Sequence, residues 1–339
     1  MSLLKSIYYK CASTLPLALL NRLSSPGCLF PYHHIVSDEE VLHIKYLYPY
    51  KNVRQFENDL EVLLKNFKPI SPGDLIKYIN HHNSIPRNSF LLSFDDGFRE
   101  VYDVIAPILE AKGVPAIFFI NPAFIDNRKL FYRSKSSLLI HEVLNEENKN
   151  ETLKKFRKLL NAENSTADDV VAIVKKLNSN DELLMDNLAK EISLSFDNYL
   201  KNKRPFLTTE QLISLNSRGF TIGSHSWSHP YYDKISLEKQ IDETLKSCEF
   251  VKDNIFQKNM TFSFPYSDVA LSQSLFDELK KTNIDLMFGI QNQKEELHNR
   301  MVHRFNAERP LVKFDDQLKG LLILMLVQKM LGNQKIKRA

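Results

Sequence analysis

Ser89-Phe90-Leu91-Leu92-Ser93-Phe94-Asp95-Asp96-Gly97 decides the fold class, because an apolar run of strand length breaks abruptly into two carboxylates and a glycine. A run apolar on both faces is the mark of a strand in a parallel sheet covered on both sides. The next segment carries Val101, Val104, Ile105, Ile108 and Leu109 at helical spacing and stops at Lys112-Gly113. Ala116-Ile117-Phe118-Phe119-Ile120 then repeats the continuous apolar run, and the pattern returns around Phe220–Gly223 and Met260–Phe264. Strand, helix, strand, repeated in this way, predicts an α/β fold with a barrel-like parallel sheet.

Working toward the N-terminus, Ser71-Pro72 opens one helix and Asn52–Asn66 forms another, whose apolar positions include Phe56, Leu60 and Leu63. Cys28–Val36 reads as one buried strand ending at Ser37-Asp38. Residues 1–24 read as a helical lead-in closed by turn residues at Ser24-Ser25-Pro26-Gly27. Toward the C-terminus, residues 127–206 lose every strand signal and read as a helical insertion, since a structureless loop of that length is improbable. Leu311–Met330 reads as a helix with an apolar middle, Leu321–Val327, followed by Lys335, Lys337 and Arg338. It can pack on the barrel or lie in a membrane interface with its basic end toward the headgroups. The expected organisation is a lead-in over 1–24, a barrel over 25–312 interrupted by the insertion, and a C-terminal helix and basic tail over 313–339.

The 339 residues are 43% hydrophobic and 25% charged, which suits a globular protein with a large core. A formal charge of +4, with no basic stripe interleaved with aromatics, argues against nucleic acid as a partner. No apolar run reaches the ~20 residues of a membrane-spanning helix. Lys5 and Lys10 precede a fairly apolar stretch, Cys11–Leu20, but Thr14 and Pro16 interrupt it, so a cleaved signal is not expected. Cys11, Cys28 and Cys248 match no zinc spacing and read as reduced thiols, which favours the cytoplasm.

Two elements carry chemistry. Asp95 and Asp96 stand at the C-terminal end of a buried strand, the edge where catalytic residues collect in such folds. Adjacent acids are costly to hold together without a cation or a shared proton. Taken alone, Asp-Asp-Gly is equally a plain turn. The second element is His225-Ser226-Trp227-Ser228-His229-Pro230, two imidazoles four residues apart after a short strand. Two histidines and one carboxylate with an open position are a ligand set for catalytic zinc. Trp227, between them, is either a packing residue or a platform for a sugar ring.

Ser-Phe-Asp-Asp-Gly and His-Ser-Trp-Ser-His resemble the first two motifs of the polysaccharide deacetylases, the NodB-homology group or carbohydrate esterase family 4. The resemblance continues in Leu207-Thr208-Thr209-Glu210-Gln211-Leu212 before Gly219-Phe220, and in Phe264-Pro265-Tyr266-Ser267, similar to the family's Pro-Tyr-Gly. It covers roughly residues 29–305. It implies a distorted (β/α) barrel with Asp95 as general base, and Asp96, His225 and His229 holding one divalent transition metal. Zinc is the expected ion, though cobalt, nickel or iron suit the same donors. It also implies that the Tyr266 N–H helps bind the oxyanion, with Pro265 beside it at the substrate.

The acid that protonates the departing amine is read as His33, because Tyr32-His33-His34-Ile35-Val36 resembles the Tyr-His-x-Val strand of circularly permuted exopolysaccharide deacetylases. His34 and the late His303 are the alternatives. The family's arginine upstream of the third motif is missing, and Arg304 or Arg133 is expected to orient Asp95 in its place. Ser267 stands where the family has glycine. The expected substrate is an N-acetylated glycan of the cell envelope or capsule, or its lipid-linked precursor. The expected place of action is the cytoplasm, at the inner face of the membrane through peripheral association. A metal amidohydrolase on a non-sugar amide and a silent carbohydrate-binding protein are the competing readings.

Overall fold

The structure, a computed structural model, describes residues 14–81, 85–145, 147, 149–296, 300–336 and 338. The expectations for residues 1–13, with Lys5, Lys10 and Cys11, and for Lys337 lie outside the described residues. The described residues form two compact units, one within 1–36, 50–122 and 207–339, the other within 37–49 and 123–206.

The first unit holds eleven strands among the described residues: β1 (Cys28–Leu29), β2 (Pro31–His33), β3 (Lys68–Pro69), β4 (Ser89–Phe90), β5 (Leu92–Phe94), β6 (Ala116–Ile120), β7 (Thr221–Ser224), β8 (Thr261–Ser263), β9 (Leu286–Gly289), β10 (Met301–His303) and β11 (Phe305–Asn306). Eight of them form one sheet in the order β10-β9-β8-β7-β6-β5-β2-β11, all pairs parallel. Its two ends are consecutive in sequence. The Arg304 N–H donates to the Gly289 carbonyl at one edge, and the Phe305 N–H donates to Phe30 at the other. One residue, Arg304, therefore joins the edges and closes the parallel barrel. A Cβ on Gly223 would approach Phe119 and Thr261 to 2.5 Å, so β6, β7 and β8 pack closely there only because residue 223 is glycine.

Two sequence expectations are corrected here. Cys28–Val36 is two strands, not one: β1 joins a small sheet of order β1-β4-β3, and β2 joins the barrel. Ser89–Phe94 divides in the same way into β4 and β5, because Lys68–Pro69 is the neighbour at one end and Ala116–Phe118 at the other. The helix expected after Gly97 starts as a π-turn, Val101–Ile105, and becomes α-helical over Ala106–Ala111. Pro107 lacks an N–H to continue the regular ladder, and the Ala106 N–H reaches Val101 instead.

Around the barrel, the helix Val53–Asn66 is capped by reciprocal bonds between Asn52 and Gln55 and buries Phe56, Leu60 and Leu63. The helix Phe314–Met330 packs on Leu17–Ser24 and on Val53–Asn66 and buries Phe314, Leu318, Leu321 and Leu322. Its later residues Val327 and Met330 are exposed, as are Leu331 and, on the helix it packs against, Leu19 and Leu23. No helix among the described residues is long and apolar enough to cross a membrane. Cys28 and Cys248 are free and buried, and burial pushes both thiols up to about 12.

The second unit is helical. It contains Leu42–Lys45, Tyr132–Leu144, Lys149–Leu159, Ala167–Lys176, Glu182–Glu191 and Phe196–Lys203. Tyr132–Leu144 is its core, buried nearly all round, and Val170, Val174, Met185 and Leu188 are among its buried residues. Arg133 belongs to that helix.

Candidate active site

A buried polar cluster centres on Arg304. Arg304, fully buried, donates to Asp95 Oδ1 at 2.7 Å and to Oδ2 at 2.8 Å, a bidentate fork. It also donates to Ser93 Oγ at 3.0 Å and Ser263 Oγ at 2.5 Å, and lies 4.6 Å over the Tyr32 ring. The residue that closes the barrel thus also holds Asp95. Burial works against ionising Asp95, but the Arg304 charge, then His225, hold its carboxyl below the usual range. Both members of the pair are almost inaccessible, so truncating one strands the other. Arg304→Leu is expected to lower unfolding free energy by about 3–5 kcal/mol. Urea denaturation checks this, and a loss under about 1 kcal/mol would refute the account of a buried, uncompensated charge.

At the strand ends the chain turns sharply. Asp95 continues the ladder, its N–H donating to the His33 carbonyl at 3.0 Å, and Asp96 then adopts φ +74°. After β7, the His225 N–H donates to Ile120 at 2.8 Å, while Ser226 and His229 take φ +67° and +58°. Tyr266, after β8, has φ +56°. Non-glycine residues in this region are strained by about 1–3 kcal/mol each. Four of them line three loops at one edge of the barrel.

His225 and His229 lie with ring centroids 4.9 Å apart. His225 Nδ1 is 2.8 Å from the Ser263 carbonyl, so it donates there and leaves Nε2 as the free lone pair. Nε2 of His225 is 3.7 Å, and Nε2 of His229 3.2 Å, from Asp96 Oδ1, which is buried and has no aligned hydrogen bond. Three donor atoms so placed, within 4.8 Å of one another, fit a metal ion. Burial pushes the His225 imidazole down to about 4 against the pull of Asp95, which keeps it neutral. Burial opposes the charge on Asp96, but His229, with His34 and His225, holds that carboxyl well below the usual range.

The loop between the two histidines is anchored by residues the sequence did not single out. Asn121 Nδ2 donates to the His225 carbonyl and, at 3.1 Å, to that of Ser226. Glu243, on the helix Leu237–Ile255, accepts from the Ser228 N–H at 2.8 Å and Oγ at 2.9 Å. Trp227 packs edge-on against Phe250 at 6.1 Å with Lys246 4.3 Å over its ring, so it serves that helix. Pro265 is buried, and the Tyr266 ring stacks on Tyr231 at 3.8 Å with its edge toward His229.

The three candidate acids separate cleanly. His33, favoured by the sequence, points out of the barrel: it stacks on Phe94 at 5.6 Å and meets Phe56 edge-on at 5.4 Å. Burial, then the charges of Lys51 and His34, push it well below its ordinary value. Side chains alternate along a strand, so His34 points the other way, as Tyr32 does. His34 Nδ1 bonds Glu308 Oε2 at 2.7 Å. Although burial works against its charge, Glu308, then Asp96 and Asp95, raise His34 to about 9. Glu308 also accepts the backbone N–H groups of His34 and Ile35 at 3.2 and 3.0 Å, a role no sequence signal marks. His303 lies outside this site, with Nε2 2.8 Å from Glu296.

A family model described as polysaccharide deacetylase matches residues 82–287. No curated protein sequence matches the chain. Among solved structures it is similar to the deacetylase PplD of Streptococcus pyogenes in complex with acetate, with 12% identity, a TM-score of 0.56, and coverage of 87% of this chain and 98% of that one. A de-N-acetylase from Aggregatibacter actinomycetemcomitans aligns at 16% identity and TM-score 0.55 over 86% of this chain and 99% of its own. IcaB from Ammonifex degensii aligns at 14% identity and TM-score 0.54 over 89% and 97%. At these identities the likeness is one of fold.

Proposed function

We propose that this chain, which belongs to the polysaccharide deacetylase family, hydrolyses the N-acetyl group of an amino sugar in a cell-envelope or capsular glycan or its lipid-linked precursor. The observation that carries the reading is the buried Asp95–Arg304 pair beside the Asp96, His225 and His229 donors. Asp96, His225 and His229 would hold a divalent ion, zinc by their chemistry, which would polarise the acetyl carbonyl and acidify water. Asp95, kept ionised by Arg304, has a second lone pair on each oxygen and takes the proton from the attacking water. The Tyr266 N–H, presented by its left-handed backbone, donates to the oxygen on which charge develops. His34, protonated through its pairing with Glu308, gives its proton to the departing amine.

The sign of the pH dependence follows from His34. Its proton is present below its raised value and lost above it, so acetate release falls as pH rises, with a midpoint at or below about 9. A bound cation repels the imidazolium and moves that midpoint down. Acetate release from N-acetylglucosamine oligomers, followed from pH 6 to 10, tests this. His34→Gln is expected to lose about 10²–10⁴-fold in turnover and the alkaline limb with it. A limb that survives in His34→Gln would reassign the acid.

We further propose that the protein works at the cytoplasmic face of a membrane. The support is the exposed apolar residues Leu19, Leu23, Val327, Met330 and Leu331 on two helices that pack together, with Arg22 and Lys329 among them. Flotation with vesicles containing anionic lipid is expected to carry the wild-type protein, and to leave behind a variant with Val327, Met330 and Leu331 changed to serine. Equal recovery of the two forms in the bottom fraction would remove this placement.

A further inference from the structure

Asp268, fully buried, is the second residue after Tyr266 in the loop leading from β8 to the helix Gln273–Lys280. Its carboxylate accepts the Ile290 N–H at 2.9 Å and Gln291 Nε2 at 2.8 Å. A third donor comes from the far end of the chain. Arg338 Nη2 reaches Asp268 Oδ2 at 2.8 Å, and Nη1 donates to the Asp268 carbonyl. The same guanidinium pairs with Glu296, Nε to Oε1 and Nη2 to Oε2 at 2.6 Å each, and lies 3.8 Å over the Phe276 ring. His303 bonds Glu296 at 2.8 Å and brings Nδ1 to 3.7 Å from Asp268.

The segment that delivers Arg338 is itself tied down. The Glu295 N–H donates to Gln334 at 2.8 Å and the Ile336 N–H to Glu295 at 2.9 Å, so the chain beyond the last helix returns along residue 295. The cluster leaves no slack beneath: a Cβ on Gly289 would come within 2.5 Å of His303 Nδ1 and 2.6 Å of Asp268 Oδ1. Asp268, Glu296 and His303 have donor atoms close enough for an ion, but Arg338 already pairs with both acids, so the group is complete without one.

Buried ion clusters of this kind are poor stabilisers relative to apolar packing; their use is to fix one arrangement. The arrangement fixed here is the backbone of Asp268, held at carbonyl and carboxylate by one planar fork. Tyr266, two residues earlier, has φ +56°, a conformation that persists only when its surroundings impose it. Resting on the deacetylase reading above, we propose that Arg338 is a positioning residue: through Asp268 it holds the Tyr266 loop in the conformation that presents its backbone N–H to the reacting acetyl group.

Two measurements on wild type, Arg338→Ala and Arg338→Lys test this. Amide hydrogen exchange reads the loop without any substrate. The peptide covering 264–272 is expected to exchange at least about tenfold faster in Arg338→Ala, while peptides covering β5 to β7 keep the wild-type rate. Acetate release from an N-acetylglucosamine oligomer and from 4-nitrophenyl acetate reads the reaction. For Arg338→Ala we expect kcat lower by about 10- to 100-fold with KM little changed, metal content unaltered, and partial recovery in Arg338→Lys. Wild-type exchange over 264–272, equal loosening of every peptide, or an unchanged kcat despite a loosened loop would each overturn the proposal. A metal-loaded wild type inactive on both acetyl donors would instead count against the deacetylase reading, and the exchange data would still decide whether Arg338 tethers the loop.

Discussion

Asp95→Asn is expected to keep wild-type metal content while its acetate release falls by about 10³-fold, within the 10²–10⁴ that a positioned base contributes. The separation follows from geometry. Both Asp95 oxygens are taken by Arg304, whereas Asp96 Oδ1 is the oxygen that faces both imidazoles. Asparagine preserves the shape and one acceptor oxygen but can take no proton. Elemental mass spectrometry and an acetate assay on the same preparation read the two effects independently, with thermal unfolding as a control for the altered Arg304 pairing. Loss of metal along with activity would make Asp95 a ligand, and retention of more than about a tenth of the turnover would end its role as base.

His225→Ala should do the converse and remove the metal itself. With one of three donors gone, content is expected to drop from about one ion per chain to near zero, and activity to vanish with it. His225 is buried and supplies Nε2 to the site only because Nδ1 is held by Ser263. Its removal therefore takes away a donor already aimed and neutral, and Asp96 and His229 are left with too few ligands for tight binding. The result does not depend on knowing the sugar. If wild type reconstituted with zinc, cobalt or nickel held none of them, the hydrolytic reading would fail and a silent glycan-binding protein would become the better account.

Much of this site could be read before the fold was known, and the reasons differ residue by residue. Asp95 and Asp96 are legible because they follow a continuous apolar run, and His225 and His229 because they stand four apart after a short strand, where residues past the end of a buried parallel strand face the ligand edge. Strand alternation puts His33 and His34 on opposite faces but does not say which face looks inward. Counting from Tyr32 required knowing that Tyr32 points inward, and only Arg304 over its ring shows that. Arg304 itself could be named as one of two arginines, but 209 residues separate it from Asp95, and no local pattern expresses such a contact. Asn121 and Glu243 anchor the loop between the two histidines largely through backbone groups, and Glu308 meets His34 from 274 residues away, so none of the three leaves a mark on spacing or composition. The breaks at Phe30 and Leu91 were invisible for a related reason: both stretches are apolar throughout, and a change of neighbour does not change what a strand must bury.

The closure of the barrel at Arg304 has a consequence for how the protein is made. The strand that carries Asp95 leaves the ribosome long before the residue that pairs with it, an interval of about 10–40 s at ordinary elongation rates. Until then the sheet has two open edges, and Asp95 lacks the arginine that pairs with both its oxygens. Contacts of this sequence separation are slow to form. A nascent chain stopped short of residue 304 therefore carries Asp95 without the arginine that pairs with it, and its sheet is still unclosed.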